Sequence, residues 1–171
     1  MGFKLSKRSL KKLEGVDEGL ASVVRYAIGV TSVDFGCICG LRTIEEQRLL
    51  VKKGASQTMK SKHLDGMAVD LMAYVGSRAS WELNLYDEIA DAMKEGADAC
   101  GVPIKWGAAW SVQNIMEWKG DEYTFYSDVD QAERTIVYPP TMEGAMNSYI
   151  DLRRRQEQRP FIDGPHFERS A

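Results

Sequence analysis

Two histidines are the only imidazole side chains in this chain of 171 residues, and each lies in a short polar motif. His63 stands seven residues before Asp70, and His166 stands three residues after Asp163. Neutral imidazole is the commonest protein ligand for zinc, and three protein ligands with one open position form the usual catalytic zinc site. Isolated histidines are more often surface or satisfied core residues. If His63, Asp70 and His166 converge, however, they can form such a site.

The residues between His63 and Asp70 favour this convergence. An odd separation of seven would place the two side chains on opposite faces of a continuous strand. The Asp65-Gly66 pair predicts a turn that breaks this alternation. In the strand that follows, the apolar neighbours of Asp70 point into the core, so Asp70 points to the opposite face.

Asp163 is a candidate for proton transfer. It lies on a predicted loop and is close enough to reach a metal-bound water without being a ligand. A metal at such a site lowers the pKa of a bound water to about 7 and polarises a substrate carbonyl. A nearby carboxylate can then accept the proton and return it to a leaving amine.

Composition limits the class of protein. The chain is 44% hydrophobic, which suits one domain with a sizeable core. Its net charge of −3 gives no basic excess for nucleic acid, and we expect no nucleic-acid partner. No segment approaches the roughly 18 to 20 apolar residues of a membrane span, so we expect no stable membrane insertion. The basic N-terminal residues lack a following apolar region, which argues against a secretory signal.

The three cysteines, at positions 37, 39 and 100, are odd in number and lie in apolar segments. This usage suits a reducing compartment in which they act as small buried hydrophobic residues. The Cys37-Ile38-Cys39 segment could bind a metal, but a C-x-C motif without a second pair is a weak signal.

Residue spacing predicts the elements that carry these side chains. Apolar residues at three- and four-residue steps predict a first helix over residues 10–27, ended by Gly29, and a last helix capped by Thr141. Thr43 begins a capping box, which predicts a short helix that runs to Gly54. The other predicted elements are strands over residues 30–39, 67–75 and 102–106 and a helix over residues 81–100. Helices and short strands without regular βαβ alternation predict an α+β domain.

Four ordered motifs resemble those of the M15-type zinc peptidases, the D-Ala-D-Ala/L-Ala-D-Glu peptidase family. Residues 61–70 match Ser-x-His-x-x-Gly-x-Ala-x-Asp, and residues 163–168 match Asp-x-Pro-His-Phe-Glu. Residues 40–47 resemble Gly-x-Arg-Ser/Thr-x-x-Glu-Gln, and residues 106–110 resemble Trp-Gly-Gly-x-Trp. More narrowly, the chain is similar to the L-alanyl-D-glutamate endopeptidase endolysins of bacteriophages.

The resemblance implies a small antiparallel sheet with flanking helices that holds one Zn²⁺, as in Hedgehog/D,D-peptidase-like zinc domains. It implies that His63, Asp70 and His166 bind zinc and that Asp163 is the catalytic base. It also implies that Arg42 binds a substrate carboxylate or stabilises an oxyanion, a task suited to a planar fork of donors. The alternative for Arg42 is a surface ion pair with the glutamates of the following helix.

Three further residues are predicted to contact the substrate. Gln47 follows Arg42 on the same short helix and is expected to share its task, and Ser61 and Ser56 are weaker candidates. Trp106 and Trp110 are predicted to pack in the core rather than to stack on substrate.

The implied function is hydrolysis of the L-alanyl-D-glutamate bond in peptidoglycan stem peptides, which causes host cell lysis. A D-alanyl-D-alanine carboxypeptidase or dipeptidase is an alternative enzyme. A non-catalytic, zinc-stabilised wall-binding module is an alternative of another class, although such a module has no need of Asp163. We expect a monomer, made in the host cytoplasm, that reaches the cell wall through a separate pore-forming protein.

Two departures from the family pattern concern the cleft. Ala108 stands where the motif has glycine. The segment at about residues 111–160 is longer than compact family members need, and we expect it to be an insertion in a single peptidase domain of residues 1–171. A lid or an added helix over the cleft is the expected structure of this segment.

Overall fold

A computed structural model describes residues 2–171 of the chain. Its helices and strands in chain order are α1 (Lys7–Lys12), α2 (Glu18–Val30), β1 (Asp34–Cys39), α3 (Ile44–Lys52), β2 (Ala68–Val75), β3 (Arg78–Ser80), α4 (Leu83–Cys100), β4 (Ile104–Trp106), β5 (Asp121–Ser127), β6 (Ala132–Tyr138), α5 (Met142–Arg155) and β7 (His166–Arg169). Within residues 2–171, no helix combines the length and the apolar composition that a membrane crossing requires.

The main sheet is antiparallel and places β2 at its centre. The strand order is β1-β2-β7-β4, and the short strand β3 pairs with β2. The register puts Asp70 of β2 opposite Cys39 of β1 on one side and opposite His166 of β7 on the other. Three residues that are distant in the sequence therefore meet on one row across the sheet.

The core lies between this sheet and the helices α2 and α4. Alternation along β2 buries Val69 and Leu71 and leaves Asp70 on the other face, as the sequence predicts. Phe167 of β7 is fully buried and stacks on Trp106 of β4 with ring centroids 6.3 Å apart. The strands that carry the site thus have one face fixed by a close-packed interior.

The N-terminal segment differs from the single helix that its spacing predicts. It forms two helices, α1 and α2, separated by a turn in which Gly15 has a φ of +79°. Gly29 lies inside α2 rather than ending it. Leu10 is exposed because α1 is short and only part of the apolar row faces the core. Ser6 caps α1, and Gly101 ends α4 in a left-handed conformation.

Two other segments also depart from expectation. Thr43 forms the predicted capping box, α3 ends at Lys52 rather than at Gly54, and its apolar residue Leu49 is 54% exposed. The buried residue of α3 is the polar Gln47. Cys37 is buried as predicted, whereas Cys100 at the end of α4 is exposed.

The segment at residues 111–160 contains a β-hairpin that the sequence did not predict. It forms the hairpin β5–β6, a separate two-stranded sheet, followed by α5, which Thr141 caps as predicted. The tip residue Val129 and the outward face of the hairpin are exposed, so the hairpin lacks the buried alternation by which a strand is recognised.

Gly66 sets the turn between the first histidine and β2. Its φ is +67°, and its carbonyl accepts a hydrogen bond from the Asp17 amide at 2.8 Å. A Cβ atom at this position would lie 2.3 Å from the carbonyl oxygen of Gly15. The turn that redirects His63 toward β2 therefore needs both a left-handed backbone and the absence of a side chain.

We expect Gly66→Ala to destabilise the protein more than Gly54→Ala. Gly54 also has a positive φ, +72°, but a Cβ there would meet nothing within 4 Å. The left-handed conformation costs about 1–2 kcal/mol in either variant, and overpacking adds about 1–3 kcal/mol at Gly66 alone. Urea unfolding of the two variants measures the difference, and equal free energies of unfolding would contradict this account of the turn.

Candidate active site

A cleft of about 610 Å³ opens beside the polar face of β2 and β7. Seven of the eight side chains predicted for the site line it, namely those of Arg42, Ser56, Ser61, His63, Asp70, Asp163 and His166. The eighth, Gln47, is fully buried behind Arg42. Among residues 2–171, those that line this cleft include none from the β5–β6 hairpin, so the predicted lid over the cleft is wrong for that hairpin.

Asp70 lies between the two histidines. Its Oδ2 is 3.2 Å from His63 Nε2, and its Oδ1 is 3.2 Å from His166 Nδ1. The two imidazole rings lie edge to face with centroids 5.3 Å apart. The predicted convergence of His63, Asp70 and His166 is therefore present in the structure.

The outer nitrogen of each imidazole has a partner of its own. His63 Nδ1 lies 2.8 Å from the carbonyl oxygen of Gly40, an acceptor, so this nitrogen donates. His166 Nε2 lies 3.0 Å from Glu168 Oε2. Such outer partners set the tautomer and the orientation of metal-binding imidazoles. They leave His63 Nε2 and His166 Nδ1 directed toward Asp70.

Arg42 is held by residues on three elements. Its guanidinium donates to Gln47 Oε1 at 2.8 Å and to Cys39 Sγ at 3.2 Å, and it lies 3.7 Å from Asp70 Oδ2. The amide of Gln47 in turn donates to Ser56 and to the Thr58 carbonyl. The buried Gln47 thus uses its polar atoms inside the protein, which explains a polar residue on the inner face of α3.

Cys39 belongs to the site, although its sequence context predicted a buried hydrophobic residue. Its Sγ lies 3.7 Å from His63 Nδ1, and β1 pairs it with Asp70. Cys39, His63 and Asp70 offer three ligand atoms that lie within 4.8 Å of one another, so they form a possible metal-binding triad. The weak C-x-C motif was the only sequence signal for this residue.

Asp163 lies on the loop that precedes β7, and close backbone packing fixes this loop. Its amide donates to the Gly107 carbonyl at 2.8 Å, and the Gly107 amide donates to the His166 carbonyl at 2.8 Å. A Cβ at Gly107 would lie 2.4 Å from the Asp163 carbonyl oxygen. Gly107, the first glycine of the motif at residues 106–110, therefore tolerates no side chain. Ala108, which replaces the second glycine of that motif, has its methyl group buried in the core.

Charge and burial shift the pKa values of the site. Burial lowers the pKa of both imidazoles. The hydrogen bond and the charge of Asp70, together with a second hydrogen bond from Cys39 at His63 and from Glu168 at His166, outweigh burial and raise the pKa of His63 to about 10 and that of His166 to about 9. Burial raises the pKa of Asp70, but hydrogen bonds to His166 and His63 hold it well below its usual range. Burial raises the pKa of Asp163, and the positive charge of His166 opposes this shift.

Glu168 and Trp110 also lie at the site, although neither is among its predicted residues. Glu168 is the outer partner of His166, and it alternates with the buried Phe167 along β7. Trp110, predicted as a core residue, is only partly buried, and its ring lies 5.7 Å from the His166 ring. Trp106, in contrast, is fully buried as predicted, and its indole nitrogen donates to the Gly164 carbonyl.

Comparison with known proteins gives concordant matches. A family model described as phage L-alanyl-D-glutamate peptidase matches residues 1–129. An L-alanyl-D-glutamate peptidase of Escherichia phage T5 is 30% identical over 115 residues, which are 65% of this chain and 84% of that protein. An L-alanyl-D-glutamate peptidase of Listeria phage A118 is 38% identical over 71 residues, which are 42% of this chain and 24% of that protein.

A solved structure matches over nearly the whole chain. The crystal structure of the Serratia marcescens L-Ala D-Glu endopeptidase ChiX superposes with a TM-score of 0.65 at 29% sequence identity. The match covers 99% of this chain and 91% of that one. It confirms the α+β fold class predicted from the sequence.

The paired imidazoles predict how stability depends on pH in chelator-treated protein. Both pKa values are raised above the ordinary 6.5, so the stabilisation is complete below pH 6.5 and is lost as pH rises through about 9 and 10. We therefore expect the free energy of unfolding to fall across this range. Urea unfolding at a series of pH values measures it.

Asp70→Asn is the control for this prediction, because it removes the carboxylate that raises both pKa values. The difference in stability between the wild type and Asp70→Asn should shrink as pH rises from 6.5 to 10. A difference that is constant or grows with pH would contradict the assignment of Asp70 as the shared partner.

Proposed function

We propose that this chain, which belongs to the phage L-alanyl-D-glutamate peptidase family, hydrolyses the L-alanyl-D-glutamate bond of peptidoglycan stem peptides and thereby lyses the host cell. The observation that carries the proposal is the convergence of His63 and His166 on Asp70, with Asp163 and Arg42 on the same cleft. This set contains metal ligands, a proton acceptor and a fixed cation, which together suit amide hydrolysis.

The donor set suits zinc held by His63, Asp70 and His166. Zinc takes imidazole nitrogen and carboxylate oxygen, and catalytic sites use three protein ligands. The inward nitrogens of both imidazoles lie 3.2 Å from Asp70, and their outward nitrogens already have partners. Cys39, the alternative ligand, already accepts a hydrogen bond from Arg42 and lies on the Nδ1 side of His63.

Bound zinc would supply a Lewis acid that polarises the scissile carbonyl and lowers the pKa of water. Asp163 accepts a proton from the attacking water while the oxygen of that water forms a bond to the carbonyl carbon. The same carboxyl then returns the proton to the nitrogen of the D-glutamate residue as the carbon–nitrogen bond breaks. Burial raises the pKa of Asp163, which makes this carboxylate a stronger base than an exposed aspartate.

Arg42 presents donors to the charge that develops on the substrate. Its bonds to Gln47 and Cys39 hold the guanidinium at the cleft wall before substrate arrives. Such preorganised donors stabilise an oxyanion or bind a substrate carboxylate without reorganisation. Gln47 acts through Arg42 as a positioning residue. Ser56 and Ser61 line the cleft and are available to the peptide backbone.

We expect zinc-loaded protein to release new amino-terminal D-glutamate from purified peptidoglycan, and we expect a chelator to abolish the release. Amino-terminal labelling and mass spectrometry of the products measure it. Free D-alanine as the product would instead support a D-alanyl-D-alanine carboxypeptidase. The absence of any cleavage would contradict the proposal and favour a wall-binding module.

Asp163→Asn is the matched control for this digestion. It keeps the size of the side chain and removes the proton acceptor, so kcat should fall by about 10²–10⁴-fold. Zinc content and the unfolding curve should stay close to those of the wild type. A variant that retains activity would remove Asp163 from the proposed mechanism.

The ligand set predicts different zinc contents for two variants. His166→Ala should lose bound zinc after dialysis, because it removes one of three ligands. Cys39→Ser should retain about one zinc per chain, because Cys39 is not among the proposed ligands. Metal analysis by mass spectrometry measures both. Loss of zinc from Cys39→Ser with retention by His166→Ala would show that the site is the Cys39, His63 and Asp70 triad instead.

A further inference from the structure

A second groove continues the cleft on the side of α5. Its volume is about 460 Å³, and its walls include Trp110, Ser111, Tyr149, Arg153, Gln156 and Phe161. Phe161 lines both the cleft and this groove. Trp110, whose ring lies 5.7 Å from that of His166, begins the groove beside the proposed zinc site. A substrate in the cleft can therefore extend directly into the groove.

Two buried donors without partners lie in the walls of this groove. Among residues 2–171, the buried side-chain nitrogens that lack a hydrogen-bond partner are Trp110 Nε1 and Arg153 Nε. Both side chains line the groove. Buried polar groups are normally satisfied, and each exception calls for a reason. The occurrence of both in one groove points to a ligand that supplies acceptor oxygens.

The apolar walls of the groove are aromatic. Trp110 and Phe161 are stacked with ring centroids 6.3 Å apart, and Phe161 is 65% exposed. Tyr149 adds a third ring. Aromatic faces at a binding site accept flat, weakly polar surfaces such as the C–H face of a pyranose ring. The residues named on its walls include one cation, Arg153, and no carboxylate.

We propose that this groove binds the amino sugar of the glycan strand to which the stem peptide is attached. The proposal rests on the proposed function. In peptidoglycan, L-alanine is joined to the lactyl group of an N-acetylated amino sugar, so the sugar lies one residue from the scissile bond. The acetamido and hydroxyl oxygens of the sugar are acceptors for Trp110 Nε1 and Arg153, and the ring lies against the aromatic walls.

The direction of the substrate follows from the different linings of the cleft and the groove. The cleft is lined by the polar segment of residues 54–58, which does not line the groove and suits the peptide beyond D-glutamate. The groove is the more apolar and aromatic end, which suits the sugar. The peptide beyond D-glutamate is also rich in charged groups, whereas the amino sugar offers neutral oxygens and a ring face.

A pair of substrates tests the proposal without any mutation. The first is a stem peptide acylated at L-alanine by N-acetylmuramic acid, and the second is the same peptide acylated by lactic acid alone. The two differ only in the N-acetylated amino sugar, so the ratio of their kcat/KM values reports sugar binding. We expect the zinc-loaded wild type to favour the first substrate by about tenfold or more, as two hydrogen bonds and a stacking contact imply.

Two variants locate the effect in the groove. Trp110→Phe keeps a ring and removes the N–H, and Arg153→Met keeps the length of the stem and removes the donors. Each should lower the ratio by about fivefold, the effect of one lost hydrogen bond. Arg154→Met is the matched control on the same helix, because Arg154 is 71% exposed and lies outside the groove. Its ratio should equal that of the wild type.

The outcomes separate this inference from the proposed function. Cleavage of neither substrate by the wild type contradicts the proposed function. Cleavage of both with a ratio near one overturns the sugar subsite and leaves the peptidase. A wild-type preference that Trp110→Phe and Arg153→Met leave unchanged, with both variants folded, also overturns the assignment of the groove. If Trp110→Phe fails to fold, the Arg153→Met ratio decides.

Discussion

The carboxylate of Asp70 is the constraint on which the rest of the site depends. It lies on the central strand of the sheet and between two imidazoles, one from the turn before that strand and one from the strand beside it. A buried charge is costly unless it is paired and hydrogen-bonded. The sheet register, the turn at Gly66 and the outer partners of both imidazoles all supply that pairing. The fold and the chemistry therefore require the same geometry.

Residues around Asp70 form and hold the walls of the cleft. Arg42 lies near the same carboxylate and donates a hydrogen bond to the buried amide of Gln47. The same amide donates to the Thr58 carbonyl, so Gln47 fixes both Arg42 and the loop at Thr58. On the opposite side, Gly107 lets the Asp163 loop pack against β4 with no side chain between them. Gln47, which only positions Arg42, is fully buried, whereas the Arg42 side chain reaches the cleft.

The sequence predicted the residues whose chemistry is local and missed those whose role arises from contacts across the fold. The convergence of His63, Asp70 and His166 could be predicted because the chain has only two histidines and each lies in a distinctive polar motif. The cap at Thr43 could be predicted because capping depends on neighbouring residues. Cys39 resembles any small core residue until β1 pairs it with Asp70. Gln47 was predicted to contact the substrate beside Arg42, but it is fully buried, and its amide holds Arg42 and the Thr58 carbonyl, eleven residues further on. The β5–β6 hairpin was not predicted, because both of its faces are largely exposed and its residues therefore do not alternate in polarity.

The position of β7 at the end of the chain affects the stage of folding at which the site is completed. Asp70 and His166 are separated by 96 positions in the chain, and β7 carries the second imidazole together with the outer carboxylate of Glu168. Contacts between residues so distant in sequence form late, because the entropy of closing the intervening loop opposes them. A nascent or partly folded chain can hold β1, β2 and the first histidine without the full set of proposed zinc ligands. Under that proposed set, hydrolysis requires the finished sheet, and activity reports that the last strand has docked.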